Sequence, residues 1–397
     1  MENEFISKKC RFVKRVHPPN PLLLALSDIK IAHSVFALPF AILGAFLAAP
    51  RSLAPAAQRE IDALRAAGTP VEETTAWVTY SVPDANPADN AFQMAAIPKH
   101  IDWPRFLGQL TLVVLCMVLA RTWAMLVNRL ADHRFDAGNP RTARRVFASG
   151  RLDVRSGWLI ALGCATLFQL AAVGFWIFFN NPWPTYLAIP VLGWIALYSF
   201  TKRFTWLCHL FLGGALAASP IAAVIAVNPS ALSDAQWITS LHPDDLFGRA
   251  LPFLAGRMPS WELSAILGNG AAVYFLAAFV LCWVAGFDVA YALQDIDFDR
   301  KTGLHSIPAR LGHHGALWVS RALHMFAFIF LLLAWIAGPF ALLMFIAVLL
   351  VAHLLVFEHI VLTRRGVAGL PLAFFTLNGI VSLLLGAVGC IEVIRAG

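Results

Sequence analysis

The chain has 397 residues, 59% of them apolar and only 13% charged, with a mean hydropathy of +0.69. Soluble domains run at roughly 45–50% apolar and about 25% charged, so these figures exclude a water-soluble globule, a disordered chain and a disulfide scaffold. They describe a multi-span integral membrane protein, whose net charge of +7 is read by which membrane side carries it and not as a nucleic-acid footprint.

The N-terminal tail is basic, with Lys8, Lys9, Arg11, Lys14 and Arg15, and Leu22–Leu26 reads as a segment on the inner surface. Asp28, Lys30 and His33 interrupt the next apolar run, which also begins too late for a cleaved signal peptide. Nine apolar stretches are each long enough to span a bilayer: Ile31–Ala49, Trp103–Val127, Gly157–Phe179, Trp183–Phe200, Phe204–Val227, Trp261–Phe287, Ala316–Ile336, Pro339–Leu362 and Val367–Ile394. The expected fold is all-α, nine transmembrane helices around a central cavity opening to the cytoplasmic side, with 1–397 forming one domain.

Two polar insertions interrupt this series, at about 51–102 and 228–260. The first carries a short helical pattern around Gln58–Ala67 before an irregular tail, and neither has the apolar periodicity of a domain with its own core. Both read as caps or tethers on the outer side. With the N-terminus inside, 20 of the 30 Lys and Arg residues fall on inner segments and eight on outer ones, which predicts a cytoplasmic N-terminus and an external C-terminus. A bacterial cytoplasmic membrane is the expected location. Five of the six cysteines lie in apolar stretches without CxxC spacing and read as small buried hydrophobes.

Carboxylates at membrane depth are costly and so point to function. The second span ends in RTWAMLVNRLADHRFD, where Arg121, Asn128 and Asp132 recur at intervals of seven and four on one helical face, with Asp136 one turn later. The sixth ends in FDVAYALQDIDFD, where Asp288, Asp295 and Asp299 repeat the same intervals and Asp297 falls off the face. Carboxylates brought together repel unless protonated, paired with cations or bridged by divalent ions. Arg141, Arg144 and Arg145 follow the first motif, Lys202 and Arg203 end the fourth span, and Arg300 and Lys301 follow the second motif. Mixed charge of this kind suits a magnesium-bridged diphosphate.

These residues carry a resemblance. NRLADHRFD resembles the first aspartate-rich motif (NxxxDxxxD) of the UbiA superfamily of intramembrane prenyltransferases, DIDFD resembles the second (DxxxD), and YSFTK, Tyr198 to Lys202, matches the YxxxK element between them. HSVFALPFAILGA and NPRTARRVFASGRL resemble the branch that prenylates 4-hydroxybenzoate and related quinone precursors. The resemblance implies that Asn128, Asp132 and Asp136 hold one Mg²⁺-diphosphate face and Asp295 and Asp299 the other, with Asp132, Asp136, Asp295 and Asp299 the catalytic carboxylates. Lys202 and Tyr198 then contact the diphosphate, and Arg141 and Arg144 close over it. The implied substrates are a polyprenyl diphosphate and a small aromatic acceptor, with a futalosine-type menaquinone precursor or haem as alternative acceptors. Two departures stand out: Arg129, where many relatives carry Asp, and the long first insertion.

Arg121 reads as an anion partner, for an acceptor carboxylate or for the aspartates. Asp288 either accepts a ring proton or pairs with Arg121. Arg321 reads as an anchor near its span end. His313, His314, His353, His359 and Glu358 form no recognisable ligand set. A transporter is the reading from another class, since buried Arg and Asp also mark ion pathways. It predicts mid-membrane charges in discontinuous helices and matched halves, whereas the acidic pairs here sit at helix ends.

Overall fold

The computed structural model describes residues 20–29, 35–73, 77–81, 94–233 and 269–396. Helix α1 (Pro21–Asp28) is capped by Asn20, whose side chain accepts from the Leu22 amide. Its neighbour α2 (Leu38–Leu47) is apolar and short; the start of the predicted first span, 31–34, lies outside the described residues. Eight further helical segments are long and apolar enough to cross a membrane, from Trp103–Gly138 to Pro371–Arg395. The protein is a multi-pass membrane protein. The start of the predicted sixth span and most of the 228–260 insertion also fall outside the described residues.

The long helices are α4 (Trp103–Gly138), α5 (Val154–Phe179), α6 (Trp183–Thr201) and α7 (Cys208–Val227), with the first insertion's helix α3 (Pro55–Ala66) before them and one turn, α8 (Ser230–Ser233), after. They continue as α9 (Asn269–Tyr291), a 3₁₀ turn (Ala292–Asp295), α10 (Ile296–Thr302), α11 (Ile307–Ala337), α12 (Leu342–Arg365), a π-helical stretch (Pro371–Leu377) and α13 (Asn378–Arg395). Each long helix packs on the next in sequence, and α13 returns to α2, so the bundle closes as a ring. Within it α9 is the inner post: 78% of its apolar window is buried, against 28% for α4. Leu159, Ile177, Phe178 and Ile189 lie on the outside and are more than 70% exposed, as a lipid-facing surface requires. A Cβ on Gly213 would overlap the Leu281 carbonyl, so glycine there permits the close approach of α7 to α9.

Successive helices alternate in direction, which collects both acidic motifs at one end. At the opposite end Gln109 donates to the Val227 carbonyl (2.9 Å), Asn181 to the Ala226 carbonyl (2.9 Å), and Glu392 accepts from the Ala341 and Leu343 amides that open α12. The first insertion also lies there. Where an irregular tail is expected after its helix, the structure has strands: β2 (Val71–Glu73), β3 (Trp77–Ser81) and β4 (Met94–Pro98) form an antiparallel sheet, and β5 (His100–Ile101) pairs with β1 (Arg51–Ser52), which precedes the helix. Arg51 pins the insertion to the bundle by donating to the Val393 carbonyl (3.1 Å), and burial lowers its pKa. The pattern missed these strands because they are short and carry little apolar alternation.

Candidate active site

Helix α4 runs 36 residues, or about 54 Å at 1.5 Å per residue, against a hydrocarbon core of about 30 Å. Its hydropathy fades at Val127, but the helix continues through the polar motif to Gly138, which carries Asn128, Asp132 and Asp136 to the membrane rim on successive turns. Facing them, α9 gives way to the 3₁₀ turn at Ala292 and then to α10, so Asp295 and Asp299 sit at the break in the helix. Both are buried while Asp297 is exposed, as the one-face spacing predicts. Gly303, at φ 70°, ends α10 in a left-handed turn. That turn folds Ser306 back to donate to Asp299 (2.8 Å), and the His305 amide back onto the Lys202 carbonyl (2.7 Å).

Each of the four carboxylates Asp132, Asp136, Asp295 and Asp299 is matched by a cation from another segment. Arg141 reaches across to Asp295, giving Nε and Nη2 to the carboxylate at 2.8–3.2 Å, and Nη1 to the Tyr291 hydroxyl (3.3 Å). Arg145 puts one nitrogen on both oxygens of Asp136 (2.7 and 2.8 Å). Lys202 Nζ lies 3.8 Å from Asp299, and Arg203 3.5 Å from Asp132 while donating to the Ala131 carbonyl. Burial works against the Lys202 charge, but Asp299 foremost, with Asp288 and Asp295, outweighs it, so the ammonium pKa is raised. Lys202 also lies within electrostatic range of Asp132, so it stands between the two motifs. Arg144 is exposed on the connecting loop.

The two acidic faces therefore share one end of the bundle and one set of bridging cations. Asn128 and Asp132 are hydrogen-bonded to each other (3.4 Å), and Arg129 donates to Asn128 (3.0 Å) and lies 3.8 Å from Asp28, tying α1 to the motif. Among the described residues no three carboxylate, His or Cys side chains converge as a closed metal cage. Paired hard oxygens on facing helices do fit Mg²⁺, which takes one or two carboxylates and leaves its other positions to water and phosphate.

Two expectations change. Asp288 does not pair with Arg121: its Oδ2 lies 2.7 Å from Nδ1 of His209, a buried residue that the sequence reading passed over because α7 shows no motif around it. Among the described residues no carboxylate reaches Arg121, whose Nε is shut off from solvent without a hydrogen-bond partner. Arg121 instead lines a cavity of about 300 Å³ between α2, α4, α5, α6 and α7, otherwise almost wholly apolar, with Tyr198 near the motif end and Pro184 and Ala226 at the far end. Of the histidines, His324 and His359 meet at 3.0 Å, and Glu358 accepts from Asn378 at 3.3 Å, a second buried polar group that holds α9, α11, α12 and α13 together.

Opposed, cation-bridged carboxylates at one mouth of a helical membrane ring that also encloses an apolar cavity are features of an intramembrane enzyme. Residues 91–380 match the UbiA prenyltransferase family, and the chain belongs to that family. It is similar to the 4-hydroxybenzoate octaprenyltransferase of Paracidovorax citrulli, 29% identical over 233 residues that cover 59% of this chain and 63% of the relative, so the match spans a little under two thirds of that relative's length. The enzyme of the same name from Edwardsiella ictaluri is 28% identical over 70% of this chain and 82% of its own. Among solved structures, a UbiA homolog from Aeropyrum pernix K1 superposes with a TM-score of 0.61 at 26% identity, covering 91% of this chain and 98% of that one. A UbiA homolog from Archaeoglobus fulgidus bound to GPP and Mg²⁺ shares the fold at 16% identity, with a TM-score of 0.54 over 94% of this chain and 99% of that one.

Proposed function

We propose that the whole chain is one prenyltransferase domain that moves a polyprenyl group from its diphosphate to a small aromatic acceptor bearing a carboxylate, with 4-hydroxybenzoate the first candidate, in the making of a respiratory quinone. The observation that carries this reading is the pairing of Arg141, Arg145, Lys202 and Arg203 with Asp295, Asp136, Asp299 and Asp132 at one mouth of the bundle. A diphosphate entering there meets a ready set of cations, and the carboxylates they release are free to hold metal. Asn128, Asp132 and Asp136 on one side and Asp295 and Asp299 on the other are the proposed Mg²⁺ ligands. When bound, Mg²⁺ supplies Lewis-acid neutralisation of the diphosphate oxygens. The Mg²⁺ and GPP bound by the Archaeoglobus fold relative favour the same reading.

The chain's own groups do the rest. Lys202 and Arg141, with Tyr198 and Arg144 beside them, bind the diphosphate and favour the charge it gains as the allylic C–O bond breaks. The apolar cavity takes isoprenoid surface and keeps water from the allylic cation. Arg121, whose Nε has no partner among the described residues, suits the acceptor's carboxylate in an otherwise apolar wall. The positive-inside count supports a cytoplasmic motif end, and a bacterial inner membrane is the proposed location.

The test is a magnesium-dependent assay in membranes containing the full chain, with labelled polyprenyl diphosphate and a panel of 4-hydroxybenzoate and futalosine-type acceptors. Transfer to 4-hydroxybenzoate supports the reading. Transfer only to the other acceptors moves the acceptor assignment, and transfer to none overturns it.

A further inference from the structure

Asp288 and Arg121 occupy matching depths. Each lies seven residues before the first ligand of its motif, about two helical turns or ~10 Å from the rim at 1.5 Å per residue, one on α9 and the other on α4. Asp288 is the one carboxylate of the second acidic face that no Arg or Lys holds among the described residues; its partner is His209, at 2.7 Å. The His209 side chain is fully buried, whereas that of Asp288 is 21% exposed, so the carboxylate fronts the open space and the imidazole stands behind it. Lys202 lies within electrostatic range of Asp288, Asp295 and Asp299, and Cys208, which donates toward the His305 carbonyl, precedes His209 in the chain.

Against a carboxylate, Nδ1 of His209 donates to Oδ2 of Asp288. Nε2 is the buried ring atom without a partner. The ring's donor N–H occupies one carboxylate oxygen and leaves Oδ1 without an Arg or Lys partner among the described residues. That is the geometry of a base held by an orienting group.

We propose that Asp288 is the catalytic base that takes the ring proton and that His209 is the residue that positions it; this rests on the prenyl-transfer reading. The allylic C–O bond breaks and its electron pair leaves with the diphosphate. The acceptor ring then forms the new C–C bond through one of its own electron pairs. The C–H bond at that carbon breaks next, its electrons restore aromaticity, and the proton goes to the Asp288 carboxylate. The acid so formed returns its proton to water on product release, and nothing is oxidised or reduced. An acceptor anchored by Arg121 lies at the same depth as Asp288, two turns inside the motifs.

The experiment compares ring-deuterated with unlabelled 4-hydroxybenzoate in membranes carrying the full chain, polyprenyl diphosphate and Mg²⁺. In the wild type proton removal is fast and no primary isotope effect appears on kcat. His209→Leu removes a hydrogen bond to a charged group and lowers kcat about tenfold, leaves KM for the prenyl diphosphate unchanged, and brings out a primary isotope effect. His209→Gln, which can still donate to Asp288, restores most of the rate and suppresses that effect. Asp288→Asn lowers kcat by about 10² or more and serves as the check should His209→Leu fail to insert; its residual turnover must show the isotope effect. A rate loss without an isotope effect in the His209→Leu and Asp288→Asn chains, or wild-type kinetics in either, overturns the assignment while the prenyl-transfer reading stands. A wild-type chain that transfers no prenyl group overturns both.

Discussion

Arg141 and Asp295 are 154 residues apart in sequence and joined by three hydrogen bonds of 2.8–3.2 Å, which fasten the loop after α4 onto the break between α9 and α10. Such a pair holds the two acidic faces at a fixed separation. It also fills with a guanidinium the space beside Asp295 that a divalent ion and a phosphate need, so in the proposed reaction Arg141 exchanges a carboxylate for a diphosphate. Planar, two-point contact is what guanidinium offers both partners and ammonium does not.

Arg141→Ala is accordingly expected to lower kcat/KM for the polyprenyl diphosphate by on the order of 10²–10³, with Arg141→Lys recovering only part of the loss. Steady-state kinetics over a range of donor concentrations decide it. A lysine chain as active as the wild type removes the two-point contact from the mechanism.

The acidic residues give a sharper expectation. Asp132→Asn and Asp295→Asn each keep the side chain's shape and remove its charge, so each chain inserts normally and loses turnover by more than about 10². Detergent-extracted yield and thermal unfolding report insertion, and the labelled-donor assay reports turnover. Chelation of divalent ions reproduces the loss in the wild type, and added Mg²⁺ reverses it. Either variant working at the wild-type rate removes that carboxylate from the site.

The sequence made the helical frame and the chemistry-bearing faces readable, because both follow from local periodicity. Asp288, Asp295 and Asp299 at intervals of seven and four predict one buried face with Asp297 outside it, and the helix obeys. The partners of those residues were not readable. His209 is 79 residues from Asp288 and sits in an unremarkable apolar run, and only the packing of α7 on α9 brings the two together. The run of α4 past Val127 agrees with the helical spacing of Asn128, Asp132 and Asp136: hydropathy marks where a helix meets lipid, whereas the hydrogen-bonded backbone propagates on through polar residues. Arg129, an oddity in the motif, is accounted for by Asp28 and Asn128.

Arg121 separates acceptor binding from stability. A guanidinium in an apolar wall, with no carboxylate within reach among the described residues, costs the fold desolvation that no ion pair there offsets. Arg121→Leu should therefore unfold at the wild-type temperature or higher, while KM for 4-hydroxybenzoate rises by about 10², the cost of leaving a buried anion without its partner. KM for the prenyl diphosphate stays put. A chain whose donor and acceptor constants move together places Arg121 at the diphosphate.

The orientation of the bundle can be read at Gly138, the last residue of α4 and the start of the loop that carries Arg141 and Arg145. The residue is exposed and a Cβ built on it meets nothing within 4 Å, so a cysteine there disturbs neither the motif nor its partners. Cys116, Cys164, Cys208, Cys282 and Cys390 lie within the spanning helices, and replacing Cys10 by Ser leaves the introduced thiol as the accessible one. In intact cells a membrane-impermeant maleimide should leave Gly138→Cys unlabelled, and opening the cytoplasmic face should expose it. A Cys placed at Gly68, in the first insertion and equally free of neighbours in space but held at φ 81°, is better avoided; Ala67→Cys, next to it at the end of α3, should give the reciprocal pattern. The two thiols lie at opposite ends of the bundle, so labelling of both from one side would contradict the alternating helix directions, and labelling of Gly138→Cys from outside would turn the active site away from the cytoplasm.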